Sequence, residues 1–316
     1  MRVVFFGTPA FAVPSLAALL ATDQTVVAVV TQPDRPRGRS HSTLSPPPVK
    51  EHALAAGIPV WQPERPRGEP FLEQLRALHA DLGVVVAYGH LLPPELLAIP
   101  SLGLVNVHAS LLPRWRGAAP IQWAILAGDR QTGVAIMRIE AGLDTGPVWH
   151  TAVTDITASD TAATLTDRLA HLGAAALVTA LPSIAAGVSP EPQADRGITH
   201  AAKVDRALAR LDWSAPSAEV SARIRAMDPA PGAWTTLADD GTSAPIKVWA
   251  TPGLITPAPW DGESPPGTLL ISGNQVQVAS ADAWVTLTDV QPAGKRRMAA
   301  AEWLRGAALP DGARLA

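Results

Sequence analysis

Hydrophobic residues in the first two-thirds of the chain form short apolar runs separated by segments of helical periodicity. Val3–Phe6, Thr25–Thr31 and Leu82–Ala87 are continuous apolar or β-branched runs, which are typical of strands covered on both faces. Between them, Phe11–Leu20 and Phe71–His79 carry apolar residues at helical spacing. This alternation predicts an α/β fold in which a mostly parallel, Rossmann-like sheet has helices on both faces. The same patterns predict a short helix over Glu51–Ala56, strands over Gly103–Val107, Val134–Ile139 and Val148–Val153, and a long helix over Asp160–Ile184.

The pattern changes after a proline-rich stretch that contains Pro190 and Pro192. We therefore expect a first domain over residues 1–189, a linker over 190–204 and a second domain over 205–316. Short helices are expected over Arg206–Trp213, Ser217–Met227 and Ala299–Arg305, and short strands over Ala233–Leu237, Ile246–Thr251, Thr268–Ile271, Val276–Ala279 and Trp284–Val290. About five short strands at regular spacing favour a small β-barrel of the open Greek-key, OB-like kind.

Composition limits the reactions that the protein can perform and indicates the cellular compartment in which it works. The chain has no cysteine, so it can form neither disulfides nor thiolate metal sites, and a reducing cytoplasm fits. The N-terminus lacks the pattern of a signal peptide, and no apolar run reaches membrane-spanning length, so we expect a cytoplasmic protein without a membrane partner. A formal charge of −3 argues against indiscriminate nucleic-acid binding, although it leaves room for a local basic patch.

Asn106 and His108 are the first candidates for catalysis. They lie two residues apart near the end of a predicted strand, so their side chains point to the same side. A carboxamide can hold a developing oxyanion and an imidazole can move a proton. Asp144 could fix the tautomer of the imidazole, but alone it is most simply a turn residue, as His108 alone is most simply a core histidine. Asn, His and Asp without cysteine make a poor zinc site, so no metal is expected.

A second candidate site is the long loop between Gln32 and Pro48. Arg35, Arg37 and Arg39 lie in it beside a single acid, Asp34. A loop of this length without its own secondary structure is usually either functional or disordered. It is therefore either a solvated surface loop or a flap that grips a phosphate-rich partner.

Two stretches together carry a resemblance to a known family. Asn106-x-His108-x-Ser110-Leu-Leu-Pro113, with Gly117 behind it and Leu143-Asp-Thr-Gly146 further on, resembles the signature of the formyltransferases that use 10-formyltetrahydrofolate. The resemblance implies that Asn106, His108 and Asp144 are a catalytic trio and that 10-formyltetrahydrofolate is the co-substrate. It also implies that four residues form the folate site: Ser110, Leu111, Leu112 and Pro113.

Within this family, several segments resemble the branch that formylates methionyl-tRNA. These are the loop Gln32–Arg39, the segment Arg114–Gln122, and, in the second domain, Leu211–Ser214, Ile246–Trp249 and Gln291–Met298. The resemblance implies formylation of initiator methionyl-tRNA at its α-amine for translation initiation, by a protein that we expect to be a monomer. The basic residues expected to contact tRNA are Arg35, Arg37, Arg39, Lys203, Arg206, Arg210, Lys247, Lys295, Arg296 and Arg297.

Two features depart from that expectation. The loop continues after Arg39 as Ser-His-Ser-Thr where lysines would be expected. Arg39 is therefore the main candidate in this loop for a contact with tRNA, and His41 is a weaker one. From Val204 onward the chain carries 10 Lys+Arg against 12 Asp+Glu, so tRNA binding would need a local patch. Six tryptophans lie there, and we favour core positions for them over base stacking.

Three alternatives remain at this level. A sugar-nucleotide formyltransferase would share the core and could carry a similar small barrel. A catalytically idle tRNA- or folate-binding protein would keep the fold without the reaction. A nicotinamide dehydrogenase is discouraged because Gly7-Thr-Pro-Ala-Phe11 is not a Gly-x-Gly-x-x-Gly turn.

Overall fold

The computed structural model describes residues 1–37, 43–238, 244–249, 257–258, 260, 262–272, 275–307 and 313–316. The chain divides into two compact units. The first comprises Met1–Gly117, Thr132–Thr154 and Thr166–His200, and the second comprises Ala118–Gln131, Asp155–Leu165 and Ala201–Ala316.

A seven-stranded sheet organises the first unit, in the order β10-β9-β7-β6-β1-β2-β5. The strands up to residue 201 are β1 (Arg2–Gly7), β2 (Thr25–Val30), β3 (Arg35–Arg37), β4 (Thr43–Ser45), β5 (Val60–Trp61), β6 (Leu82–Val86), β7 (Leu104–His108), β8 (Arg116–Gly117), β9 (Gln131–Arg138), β10 (Val148–Asp155) and β11 (His200–Ala201). The five strands from β7 to β5 in this order run parallel, while β9 pairs antiparallel with β7. The expected mostly parallel α/β sheet is therefore confirmed.

Eight α-helices lie among the described residues and are distributed over the two compact units. They are α1 (Val13–Leu20), preceded by a 3₁₀ turn over Ala10–Ala12, α2 (Pro48–Ala55), α3 (Glu69–Ala77), α4 (Pro94–Leu97), α5 (Pro120–Leu126), α6 (Ala162–Ala185), α7 (Ser217–Ala226) and α8 (Ala300–Gly306). All five residues of β6 are buried, as a strand covered on both faces should be.

The long helix α6 packs directly on β7, the strand next to the central strand β6. A Cβ added at Gly173 would lie 2.8 Å from Val107 Cγ1, so only glycine allows so close an approach. Among the described residues, α6 is the one helix long and apolar enough to cross a bilayer by length and composition. Half of its most apolar stretch is buried, which is what a core helix requires.

The second unit contains two four-stranded antiparallel sheets, in the orders β12-β13-β18-β19 and β14-β17-β16-β15. Their strands are β12 (Ala233–Thr235), β13 (Ile246–Trp249), β14 (Pro257–Ala258), β15 (Leu269–Ser272), β16 (Gln275–Ala279), β17 (Trp284–Leu287), β18 (Asp289–Pro292) and β19 (Met298–Ala299). This all-antiparallel architecture agrees with the expected OB-like class.

Two local predictions in this unit were wrong. Arg206–Trp213 is not a helix but a run of turns ending in a single bridge from Arg210 to Trp234. Trp284–Val290 is not one strand, because the chain leaves one sheet after Leu287 and enters the other at Asp289. Passing from sheet to sheet is how a small barrel turns its corners.

Candidate active site

The carboxyl end of β7 presents two polar side chains on the sheet face opposite α6. Strand alternation places Val105 and Val107 on one face and Asn106 and His108 on the other. Asn106 is half-buried, and among the described residues its carboxamide has no hydrogen-bond partner in the protein. A carboxamide held on a rigid strand with its hydrogens uncommitted can donate to a ligand.

His108 is buried and is held by two different parts of the chain. Its Nε2 lies 3.0 Å from the backbone oxygen of Trp115, and its Nδ1 lies 3.6 Å from Oδ2 of Asp144. Because a carbonyl oxygen only accepts, Nε2 must carry a hydrogen. The gap of 3.6 Å between Nδ1 and Oδ2 is too long for a hydrogen bond but short enough for an ion pair when the ring is protonated.

The segment after β7 folds into a tight turn that aims the Trp115 carbonyl at His108. Ser110 is fully buried and donates its hydroxyl to the Arg114 oxygen at 2.6 Å, while the Arg114 N–H donates to Leu111 O at 3.0 Å. Trp115 has φ of +62°, a conformation rare for a bulky side chain. Thr199 secures it by accepting the Trp115 N–H at 2.9 Å.

Asp144 is fixed from two sides. Its Oδ2 accepts the backbone N–H of Gly117 at 2.9 Å, and its backbone oxygen accepts a hydrogen bond of 2.8 Å from Gln193 Nε2. Its φ is +50°, and Gly146, two residues on, lies against β9 so closely that an added Cβ would be 2.0 Å from Arg138 O. The carboxylate is therefore supported by a loop with little freedom.

Unusual backbone conformations gather at this end of the sheet. Among the described residues, four non-glycine residues have positive φ, and three of them, Ala87, Trp115 and Asp144, lie at the end of β6 or in the two loops that hold His108. Such conformations cost about 1–3 kcal/mol each and persist where the surroundings over-determine them, which occurs most often at functional sites.

The structure thus brings together Asn106, His108 and Asp144 as the sequence led us to expect. Their assignment as a catalytic trio stays a prediction. Three supporting groups were missed: the Trp115 carbonyl, the Gly117 N–H and the Gln193 amide. The first two are backbone groups that no side-chain pattern reveals, and Gln193 lies in the stretch predicted to be a linker.

The four residues assigned to folate differ in accessibility. Ser110 is fully buried and its hydroxyl donates to the Arg114 oxygen, so it stabilises the turn that carries the other three. Leu111, Leu112 and Pro113 are half-buried, and the Leu112–Pro113 peptide bond is cis. Their assignment to a folate also stays a prediction.

The base of the arginine loop is firmly anchored in the first unit. Asp34 accepts Lys50 Nζ at 2.7 Å and Gln62 Nε2 at 2.7 Å. The hydrogen bond from Lys50, followed by that from Gln62, holds the pKa of Asp34 below its usual value. Gln32 in turn donates its side chain to Tyr88 O at 2.9 Å, at the end of β6.

The arginines of the loop follow Asp34 directly in the chain. Arg35 is exposed and donates to the Gln32 side chain, and β3 and β4 pair antiparallel with Arg37 opposite Thr43. Arg39 and His41 lie outside the described residues.

Cations and tryptophans lie together in the second unit. The guanidinium groups of Arg206 and Arg210 lie 5.2 and 5.5 Å from the ring centre of Trp234. Lys247 and Arg297 similarly lie 5.7 and 5.2 Å from the ring of Trp249. These distances fit cation–π contacts.

The remaining basic candidates are exposed but differently engaged. Arg296 pairs with Glu302, and Arg297 pairs with Asp289 at 2.6 Å. Lys203 and Lys295 are exposed as well. The expectation that the tryptophans are core residues holds for Trp213, Trp284 and Trp303, whereas Trp234, Trp249 and Trp260 are only half-buried. Among the described residues, no group of three or more His, Asp or Glu is arranged to hold a metal ion.

Comparison with known proteins covers both units. Residues 1–181 match the family model described as formyl transferase, and residues 203–308 match the one described as formyl transferase, C-terminal domain. The chain is 48% identical over 310 residues to the methionyl-tRNA formyltransferase of Methylococcus capsulatus, covering 98% of each chain.

Solved structures share the fold at low sequence identity. An N-formyltransferase from Helicobacter canadensis, in complex with folinic acid and dTDP-3-aminofucose, has a TM-score of 0.67 at 17% identity and covers 92% of this chain and 99% of that one. HypX from Aquifex aeolicus, in complex with tetrahydrofolic acid, has a TM-score of 0.63 at 17% identity and covers 96% of this chain and 47% of that one.

Proposed function

The chain belongs to the methionyl-tRNA formyltransferases, and we propose that Asn106, His108 and Asp144 perform its reaction, with 10-formyltetrahydrofolate as the formyl donor and the α-amine of initiator methionyl-tRNA as the acceptor. The observation that carries this assignment is the ion-pair distance of 3.6 Å between His108 Nδ1 and Asp144 Oδ2 beside Asn106. Strand alternation puts Asn106 and His108 on one face, and a separate loop brings the Asp144 carboxylate to that face.

Asn106 would stabilise the charge that develops during transfer. As the amine attacks the formyl carbon, a C–N bond forms and the carbonyl electrons move to oxygen. The uncommitted hydrogens of the Asn106 carboxamide can donate to that oxygen without first breaking a bond to the protein. Removing one such donor typically lowers the rate about 10²–10³-fold.

His108 would supply charge and move protons. With Nε2–H bound to the Trp115 carbonyl, the ring meets the reacting atoms through Nδ1, on the side where Asp144 lies. In its protonated form, His108 would add positive charge beside the oxyanion. When the carbonyl re-forms, the bond to the donor nitrogen breaks, and that nitrogen takes up a proton while the new amide nitrogen loses one. His108 can give the first proton and accept the second.

The folate co-substrate would bind beside this trio, at the carboxyl ends of β6 and β7. The Helicobacter canadensis structure is a complex with folinic acid and the Aquifex aeolicus structure a complex with tetrahydrofolic acid, which supports a folate in this fold. Here Ala87 and Gly89 after β6 are exposed, as is Leu143 next to Asp144. Exposed backbone and apolar surface at this edge fit a flat ring that carries hydrogen-bond donors and acceptors.

For the tRNA we propose two basic regions. The first is the loop that carries Arg35, Arg37 and Arg39, and the second is the group Lys203, Arg206, Arg210, Lys247 and Lys295–Arg297. The anchor at Asp34 supports the first region, because it fixes where the loop begins. Within the second, Arg206 and Arg210 are the stronger candidates, since Arg296 and Arg297 already pair with acids. We further propose the domain boundaries 1–189, 190–204 and 205–316, a monomer, and a cytoplasmic location without a membrane partner.

An acceptor assay tests the proposal. Purified protein is given 10-formyltetrahydrofolate with charged initiator tRNA, uncharged initiator tRNA or a UDP-amino-sugar, and formylated product is measured. Product with the charged tRNA alone is expected. Product with the amino-sugar instead would overturn the acceptor assignment, and product with none would overturn the activity.

A further inference from the structure

Gln193 connects the two loops that hold the His108–Asp144 pair. Its Nε2 donates to the backbone oxygens of Asp144 at 2.8 Å and Gly146 at 2.7 Å. Its Oε1 accepts Arg116 Nε at 3.0 Å and Nη2 at 2.7 Å. Both polar atoms of this amide are therefore bonded to the two loops. Nε2 binds the loop that carries Asp144, and Oε1 binds the loop that carries Arg116.

Both ends of this connection lie next to groups that orient the pair. Arg116 stands between Trp115, whose carbonyl binds His108 Nε2, and Gly117, whose N–H binds Asp144 Oδ2. On the other side, Gln193 holds the backbone of Asp144 itself, which has a positive φ. The Gln193 amide and the Gly117 N–H are therefore two links that together set the spacing of the loops, and with it the distance between imidazole and carboxylate.

We propose that Gln193 is a positioning residue that sets Asp144 relative to His108; this inference rests on the function proposed above. Gln193 touches neither side chain of the pair, so it acts through backbone groups. Its two halves have separate tasks, because only the nitrogen can donate to the Asp144 loop and only the oxygen can accept from Arg116.

Two substitutions separate these tasks. Gln193→Glu keeps an oxygen for Arg116 but leaves nothing to donate to the carbonyls of Asp144 and Gly146. Gln193→Met keeps the length and removes both tasks. Gln131→Ala is the matched control, since Gln131 is exposed and, in the part of the chain that the structure describes, its side chain donates to Asp155 alone, at 2.9 Å.

The experiment measures kcat and KM for both substrates and the midpoint of thermal unfolding. Because misplacing a catalytic group by about 1 Å can cost about 10²-fold in rate, both Gln193 variants should lose 10- to 100-fold in kcat. Their KM values should stay within about twofold of the wild type, because neither substitution changes a side chain proposed to touch a substrate. The control should match the wild type.

A double-mutant comparison distinguishes positioning from a general structural role. In an Asp144→Asn background, Gln193→Met should have little further effect on kcat, because the group it positions has already been disabled. Additive losses, a change in KM alone, full activity of Gln193→Glu, or unfolding of both single variants would overturn the inference. Absence of formyl transfer by the wild type would instead refute the proposed function, so the two failures are distinguishable.

Discussion

Gly117 donates its backbone N–H to Oδ2 of Asp144 at 2.9 Å, and the same oxygen faces His108 Nδ1. One carboxylate oxygen therefore accepts the hydrogen bond that holds Asp144 in place and also presents negative charge to His108. The two functions can be separated by mutation, because an amide oxygen accepts a hydrogen bond as a carboxylate does but carries no full charge.

Asp144→Asn should accordingly abolish the charge and spare the anchor. We expect kcat to fall by about 10²–10⁴-fold, the range for general acid–base catalysis. The midpoint of thermal unfolding should change little, whereas Asp144→Ala should lower it as well, since Gly117 then loses its acceptor. Steady-state kinetics and calorimetry on both variants check this, and equal unfolding midpoints for both would contradict the anchoring role.

Asn106→Ala should remove the oxyanion donor without disturbing the strand, because no described residue depends on that carboxamide. Turnover should fall by about 10²–10³-fold. Folate affinity, measured by titration of the protein in the absence of tRNA, should stay within a few-fold of the wild type. Near-normal turnover, or a loss of folate binding that accounts for the whole effect, would reject the role.

Arg39→Ala should weaken the use of tRNA and lower its dependence on salt. Removing one phosphate contact is expected to reduce the slope of log affinity against log salt by about one unit. The control is Arg65→Ala, an exposed arginine of the first unit outside the proposed patch. KM for charged tRNA is measured between low and physiological salt for both. A change in folate affinity instead would place the loop on the other substrate.

The anchor at Asp34 should make stability depend on acid pH. The hydrogen bonds from Lys50 and Gln62 lower the pKa of Asp34 below 3.8 in the folded protein. A lowered folded pKa means that the unfolded chain binds the proton more readily. The stabilisation is therefore complete above the unfolded value of about 3.9 and is lost as pH falls through the folded value.

Urea unfolding of the wild type and Asp34→Asn across this range tests the anchor. The wild type should be the more stable protein at pH 6, and the difference should shrink below about pH 4 as Asp34 becomes protonated. A difference that does not change with pH would show that the charge of Asp34 is immaterial.

Sequence patterns predicted the elements whose faces are set by burial. The apolar run over Leu82–Ala87 is recovered as a fully buried strand, and alternation alone put Asn106 and His108 on one side of β7. The sequence patterns gave wrong predictions where the chain forms successive turns. Arg206–Trp213 has enough helix-forming residues for a helix, but Ser214 takes Asp212 as a hydrogen-bond partner at 2.6 Å and the segment stays a series of turns.

The site shows the same division. Asn106 and His108 could be paired from their spacing, whereas Asp144 joined them only through the family motif, since 36 residues separate it from His108 and its neighbours fix only a turn. Gln193 had no signal at all. It lies among prolines and polar residues that are typical of a linker. Its interactions are with backbone carbonyl groups, whose positions cannot be inferred from the sequence.

The position of Gln193 and Thr199 has a practical consequence for engineering. A fragment ending at residue 189 would retain all the reacting side chains, yet it would leave behind the amide that spaces their loops and the hydroxyl that secures Trp115. Both belong to the compact unit that ends at His200. Chimeras that graft a different acceptor-binding module onto this scaffold should therefore exchange sequence from Ala201 onward.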